Sequence, residues 1–237
     1  HAWKQMFPGP VFSYEYHFWR HQYLDPGGMA IARRLYEDVR SLKVTGIDGY
    51  VEDGSQRSFF PNGFLMHLYA ELLMNRELSL EEITEDYFSH AYGEDWQDVV
   101  AILTRISTLC DHSYMAGVMS ADPERGRFYN PEKAKDFEAI PALSAELRAL
   151  VEKHTESPNR PQTVSWRLLG YYTEYLDLIA PAYREKALGN DALAIEKAEH
   201  FFRRFFRFFE NFLASFCWVQ QEAQEILIGE GAGGVGG

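Results

Sequence analysis

The part of the chain that most restricts its fold is the stretch from residue 9 to 55, which alternates twice with a helical pattern between. In GPVFSYEYHFWRH, Phe12, Tyr14, Tyr16 and Phe18 fall on one face of an extended strand. Ser13, Glu15, His17 and Trp19 fall on the other, because side chains alternate along a strand. After the Asp25-Pro26-Gly27-Gly28 turn, Ile31, Leu35, Val39 and Leu42 recur at helical spacing, with Arg33, Arg34, Glu37, Asp38 and Arg40 between them, as far as Gly46. The segment IDGYVEDGS then alternates again: Ile47, Gly49 and Val51 on one face, Asp48, Tyr50 and Glu52 on the other, stopping at Asp53-Gly54. A strand, a helix and a strand within about 40 residues is a right-handed crossover, so the two strands are expected to be parallel neighbours.

Two parallel strands do not make a sheet that stands alone, since parallel sheets occur almost only with several strands and both faces covered. The expected fold is mainly α with a small parallel β component: the last two βα units of a (β/α)8 barrel, followed by a C-terminal helical bundle. Phe64, Leu65, Leu68, Leu72 and Leu73 supply the helix after the second strand. Ser79 and Glu82 have the spacing of a capping box that opens a helix closed at Tyr92-Gly93. Longer helices are predicted at about 95–116, 131–155, 161–188 and 190–217, with Pro141 and Pro181 as candidate kinks or breaks. The expected organisation is barrel-type units over 1–78, a helical domain over 79–228 and a glycine-rich tail over 229–237.

The charge excludes some partners. With 23 basic against 35 acidic residues the formal charge is −12, which disfavours nucleic acid or an anionic membrane as the main partner. No apolar run approaches the roughly 18 residues of a membrane span. Cys110 and Cys217 stand far apart in apolar, helical contexts without CxxC spacing, and read as buried thiols. The opening His1-Ala2-Trp3-Lys4 has neither an initiator Met nor a signal-peptide pattern, so the chain is expected to be part of a longer protein, and its localisation stays open. The stretch EHFFRRFFRFFENFLASFCW places Phe201, Phe205, Phe212 and Phe216 on one helical face and Arg203, Arg204 and Arg207 opposite, which reads as a core helix of the bundle.

Glu15 and Glu52 lie near the C-terminal ends of their strands, where barrel enzymes carry catalytic groups. Two carboxylates on neighbouring strands suit glycoside hydrolysis, in which one protonates the leaving oxygen and the other attacks or activates water. The competing readings are substrate binding without proton transfer and structural ion pairing. Trp19 and Tyr50 share their face and offer flat rings for stacking on sugar, whereas Tyr14 and Tyr16 are expected to pack under a helix. His17 is placed to hydrogen-bond a sugar hydroxyl or to orient Glu15, and Asp53 and Gln56 to line the same mouth. His17 and His21 are four apart, but on a strand and without further ligands at suitable spacing, so no metal and no cofactor is expected.

The segments ARRLYEDVRSLKVTGIDGYVEDGS and NGFLMHLYAELLMNRELSLEEITEDYFSHAYGED resemble the bacterial DUF4838 family, found in large carbohydrate-active proteins. More distantly they are similar to the barrels of the alpha-glucuronidase and beta-hexosaminidase groups. The resemblance covers residues 10–96 best and rests on the Leu42-to-Gly46 helix end, the GYVEDG strand, the YAELLMNRELSLEEI helix and the Tyr92-Gly93 stop. It implies a glycoside-hydrolase-like barrel with a C-terminal helical domain and a carbohydrate substrate, completed by N-terminal barrel strands that this chain lacks. By that resemblance Glu52 corresponds to a carboxylate at the end of its strand and Glu15 to the strand before. A non-catalytic carbohydrate-binding module and a helical scaffolding module are the alternatives.

Overall fold

The computed structural model describes residues 2–18, 24–52, 60–154, 156, 158–209 and 226–227. Trp19, His21, Asp53, Gln56, Cys217, the aromatic stretch beyond Phe209 and the tail at 229–237 lie outside the described residues. The elements run α1 (Ala2–Met6), β1 (Phe12–Glu15), α2 (Met29–Thr45), β2 (Gly49–Glu52), α3 (Phe64–Met74), α4 (Leu80–Tyr92) and α5 (Trp96–Cys110). They continue with α6 (His112–Met115), α7 (Pro131–Lys153), α8 (Arg160–Leu188) and α9 (Asp191–Phe209). The chain is therefore mainly helical with one small sheet, in which β1 and β2 pair in parallel.

The crossover starts and stops where backbone chemistry requires. Gly28 and Gly46 bracket α2 with φ of 73° and 79°, in the left-handed region that favours glycine. At α4 the capping box is complete: Ser79 Oγ accepts from the Glu82 N–H and the Glu82 side chain accepts from the Ser79 N–H. The single helix expected over 95–116 is instead two. Asp111 takes φ 46° after α5, and its side chain accepts hydrogen bonds from the Ser113 and Tyr114 N–H groups that open α6. An aspartate tolerates that conformation and caps the next turn at once. Pro141 and Pro181 sit inside α7 and α8 without ending either helix. Buried side chains along both helices, Ile140, Leu143 and Leu147 against Leu176, Ile179 and Tyr183, hold them through the missing N–H bonds.

One apolar core runs through the molecule, from Phe18, Leu35, Val39, Leu68 and Leu72 to Leu103, Phe137, Trp166, Tyr172 and Phe201. The turn before α2 is seated in it. Tyr172 Oη donates to the Pro26 carbonyl at 2.7 Å, and the Met29 N–H donates to Ser107 Oγ at 3.0 Å. Gly27 lies against the α5 backbone so closely that a Cβ there would meet the Leu103 carbonyl and Ser107. The start of α2 is thus fixed by α5 and α8, and with it the side of the sheet that α2 covers.

That side differs from the sequence expectation. Phe12, Tyr14 and Tyr16 are 63%, 57% and 47% exposed, and Val51 is exposed beside them, whereas Phe18 is buried. The half-buried face is the one carrying Ser13, Glu15, Tyr50 and Glu52, and α2 and α3 lie over it. Strand alternation separates two faces but does not say which one a crossover helix will cover; the anchored turn at Pro26 decides that here.

Candidate functional site at the strand ends

Glu15 and Glu52 are register partners at the last position of each strand, with Ser13 opposite Tyr50 one pleat earlier. Parallel neighbours are about 4.8 Å apart, so the two carboxyl side chains leave the sheet side by side on one face. Farther back, Asp48 closes the N-terminal end of the sheet. It accepts from Lys4 Nζ at 2.7 Å and from the Val11 N–H at 2.8 Å, and these two contacts hold its carboxyl below the usual carboxylate range. Asp48 is therefore a clamp on the chain entering β1.

The two glutamates have different surroundings. Glu15 accepts from the Ser13 hydroxyl and lines a cavity of about 480 Å³ with His17, Arg34, Asp38, Leu65 and His112. Glu52 is turned toward His17: one carboxylate oxygen accepts the His17 backbone N–H at 2.8 Å and the other lies 2.8 Å from Nδ1. Tyr69, from α3, lies beside the same carboxylate, and burial together with the Glu52 charge pushes its phenol up. The far ring nitrogen of His17 faces Asp38 at 3.9 Å.

Aromatic rings close the back of this arrangement. Tyr50 meets the His17 ring edge-on at 5.3 Å, and Tyr69 stacks with Tyr50 at 6.3 Å. Burial, followed by the charges of Glu15, Asp38 and Glu52, pushes the Tyr50 phenol up to about 12. Its hydroxyl donates to the Asp38 carbonyl at 3.4 Å, which ties β2 to the middle of α2.

Of the residues expected at the site, Glu15, His17, Tyr50 and Glu52 are brought together, and Trp19 and Asp53 lie outside the described residues. Sequence reasoning missed Asp38, Arg34 and Tyr69. Arg34 and Asp38 are one helical turn apart on the flank of the apolar stripe of α2, where charged residues usually face solvent. Arg34 approaches Asp38 at 3.8 Å and Glu37 at 3.8 Å, a loose exposed pairing. The only available signal was that i, i+4 spacing; Tyr69 had none, since a tyrosine in an apolar helix reads as core.

Among the described residues one group has metal-ligand geometry, and it lies elsewhere. Glu94, Asp95 and His154 bring ligand atoms within 4.8 Å of one another. Lys153 already occupies the place a cation would take, with its Nζ 2.7 Å from Asp95 and 3.9 Å from Glu94. His154 Nε2 is 2.5 Å from Asp95, and its ring stacks on Trp166 at 4.5 Å. Lys153 at the end of α7 thus meets an acid at the start of α5, as the helix dipoles favour. This is a helix clamp.

No described helix is long and apolar enough to cross a membrane. Compared with known protein families, curated proteins and solved structures, the chain matches none.

Proposed function

We propose that the cavity at the ends of β1 and β2 takes a carbohydrate, and that the chain is the C-terminal portion of a glycoside-hydrolase-like protein. The observation that carries this reading is the in-register pair Glu15 and Glu52, leaving one face of parallel strands at their C-terminal ends, beside a cavity of about 480 Å³. That volume lies within the usual range for small-molecule sites. Neighbouring-strand carboxylates suit acid–base work on a glycosidic bond, here at the strand ends on the helix-covered side of the sheet rather than on the side that would look into a barrel. The Tyr50 and Tyr69 rings add flat apolar area of the kind sugars stack on. The resemblance to the DUF4838 family points the same way, and the charge of −12 argues against nucleic acid as the ligand.

In this reading β1 and β2 are the last two strands of a (β/α)8 barrel, whose other strands belong to the same protein. The exposed Phe12, Tyr14 and Val51 face is then the one that further strands enclose, and the site opens at the strand ends under α2. Hydrolysis of a panel of aryl glycosides by the full-length protein tests the reading. Glu15→Gln is expected to lower turnover by about 10²-fold or more, the scale of a lost general acid or base. Unchanged turnover in both Glu15→Gln and Glu52→Gln would remove the site assignment. One observation favours a second reading, sugar binding without hydrolysis: Glu52 already has both oxygens engaged by His17. Binding of glycosides with no turnover would select it.

A further inference from the structure

We infer that Glu52 is a positioning residue for His17, fixing the ring so that Nε2 is presented to the cavity as a hydrogen-bond acceptor for a ligand hydroxyl. The nature of the ligand rests on the carbohydrate reading above; the pairing of the two residues does not.

The Glu52 side chain is 11% exposed and that of His17 is 14% exposed, so the bond between them is shielded from water. An ionised carboxylate only accepts, so an imidazole held against it must carry its hydrogen on Nδ1. The same carboxylate also receives the His17 backbone N–H on its other oxygen. These two donors engage both oxygens of Glu52 and fix the ring in both position and rotation. In a neutral ring Nε2 is then a bare lone pair.

His17 and Asp38 both line the cavity, and Nε2, on the ring edge away from Glu52, lies 3.9 Å from Asp38 Oδ2, beyond hydrogen-bond reach. Two acceptors set that close, with no hydrogen bond between them among the described residues, match a ligand that brings its own donors. A hydroxyl can give its hydrogen to Nε2 while a neighbouring hydroxyl gives one to Asp38. Vicinal hydroxyls on a sugar ring have that arrangement. Glu15, which accepts from Ser13 and lines the cavity, is the carboxylate placed to meet the ligand directly. The ordering is therefore Glu15, His17 and Asp38 at the cavity, with Glu52 one step behind.

The test is the tautomer of His17, read from long-range proton–nitrogen NMR correlations of the ¹⁵N-histidine-labelled chain near neutral pH. The expected result is a neutral ring with hydrogen on Nδ1 and a free Nε2. In Glu52→Ala the Nε2–H form becomes the major species. If that variant fails to fold, Glu52→Gln serves: one carbonyl oxygen must then serve two His17 donors, and the Nδ1–H fraction falls. A wild-type ring with hydrogen on Nε2, a ring carrying both hydrogens, or a tautomer unchanged in the folded variants would overturn the inference. Titration with methyl glycosides and free hexuronic acids separates this from the ligand reading. A shift of the His17 Nε2 resonance supports both. Absence of any sugar-induced shift, with the Nδ1–H tautomer in place, removes the carbohydrate reading and leaves the positioning role standing.

Discussion

Substituting two adjacent glycines tests whether the turn before α2 is held by its own backbone or by what it touches. Gly28 has φ +73° and open space around its Cα, whereas a Cβ on Gly27 would lie 2.6 Å from the Ser107 N and closer still to the Leu103 carbonyl. Gly28→Ala forces an ordinary residue into the left-handed region, at a cost of about 1–2 kcal/mol. Gly27→Ala has no φ penalty but pushes a methyl group into helix backbone that cannot rotate away, which belongs at or above the upper end of the roughly 1–3 kcal/mol range for overpacking. For a chain of this size about 3 kcal/mol corresponds to a fall in midpoint of roughly 6–12 °C. Thermal unfolding followed by circular dichroism should therefore rank Gly27→Ala below Gly28→Ala, and both below the parent. The adjacent Met29-to-Ser107 hydrogen bond, 3.0 Å, would be strained by any shift that relieved the clash. A Gly27→Ala chain melting within about 2 °C of the parent, on that same scale, would refute the claim that α5 fixes this turn.

Two further outcomes are expected. Hydrogen bonds from Lys153, then His154, hold the Asp95 carboxyl below its ordinary range. A carboxyl whose pKa is depressed on folding adds stability at pH values above its unfolded pKa, near 4, and loses it as the pH falls through the folded value. Asp95→Asn should therefore narrow the stability gap between neutral and acid pH in urea titrations, and an unaltered pH profile would show that the clamp contributes nothing. Trp166 is fully buried between His154 and the edge of Tyr92, with ring centroids at 4.5 and 5.0 Å. Trp166→Ala should cost about 3–5 kcal/mol in chemical denaturation, and a loss under about 1 kcal/mol would mean that the helices close the cavity.

Local chemistry alone determined a good deal of this protein. Two alternating segments around an amphipathic helix could only be parallel strands, the Ser79 and Glu82 pair could only open a helix, and Gly46 and Gly93 stop helices because they adopt positive φ. These are short-range rules, settled within a turn or a pleat, and residues close in sequence suffice to state them. The neighbourhood of Glu15 and Glu52 was legible for the same reason, since strand parity put Glu15 with His17 and Tyr50 with Glu52.

Tertiary packing decided the rest. Parity leaves the two faces of a strand equivalent until something covers one. Here the docking of Pro26 and Gly27 on α5 and α8 brings α2 over the acidic face and leaves Phe12, Tyr14 and Tyr16 outward. The same placement carries Asp38 to His17 across 21 residues and Tyr69 to Glu52 across 17. No periodic pattern encodes either meeting, because each depends on how a helix lies against a sheet. The sequence could nominate two carboxylates as a pair. Only the packed structure separates them, one facing a cavity and the other enclosed by His17 and Tyr69, because burial and hydrogen-bond partners belong to the assembled fold.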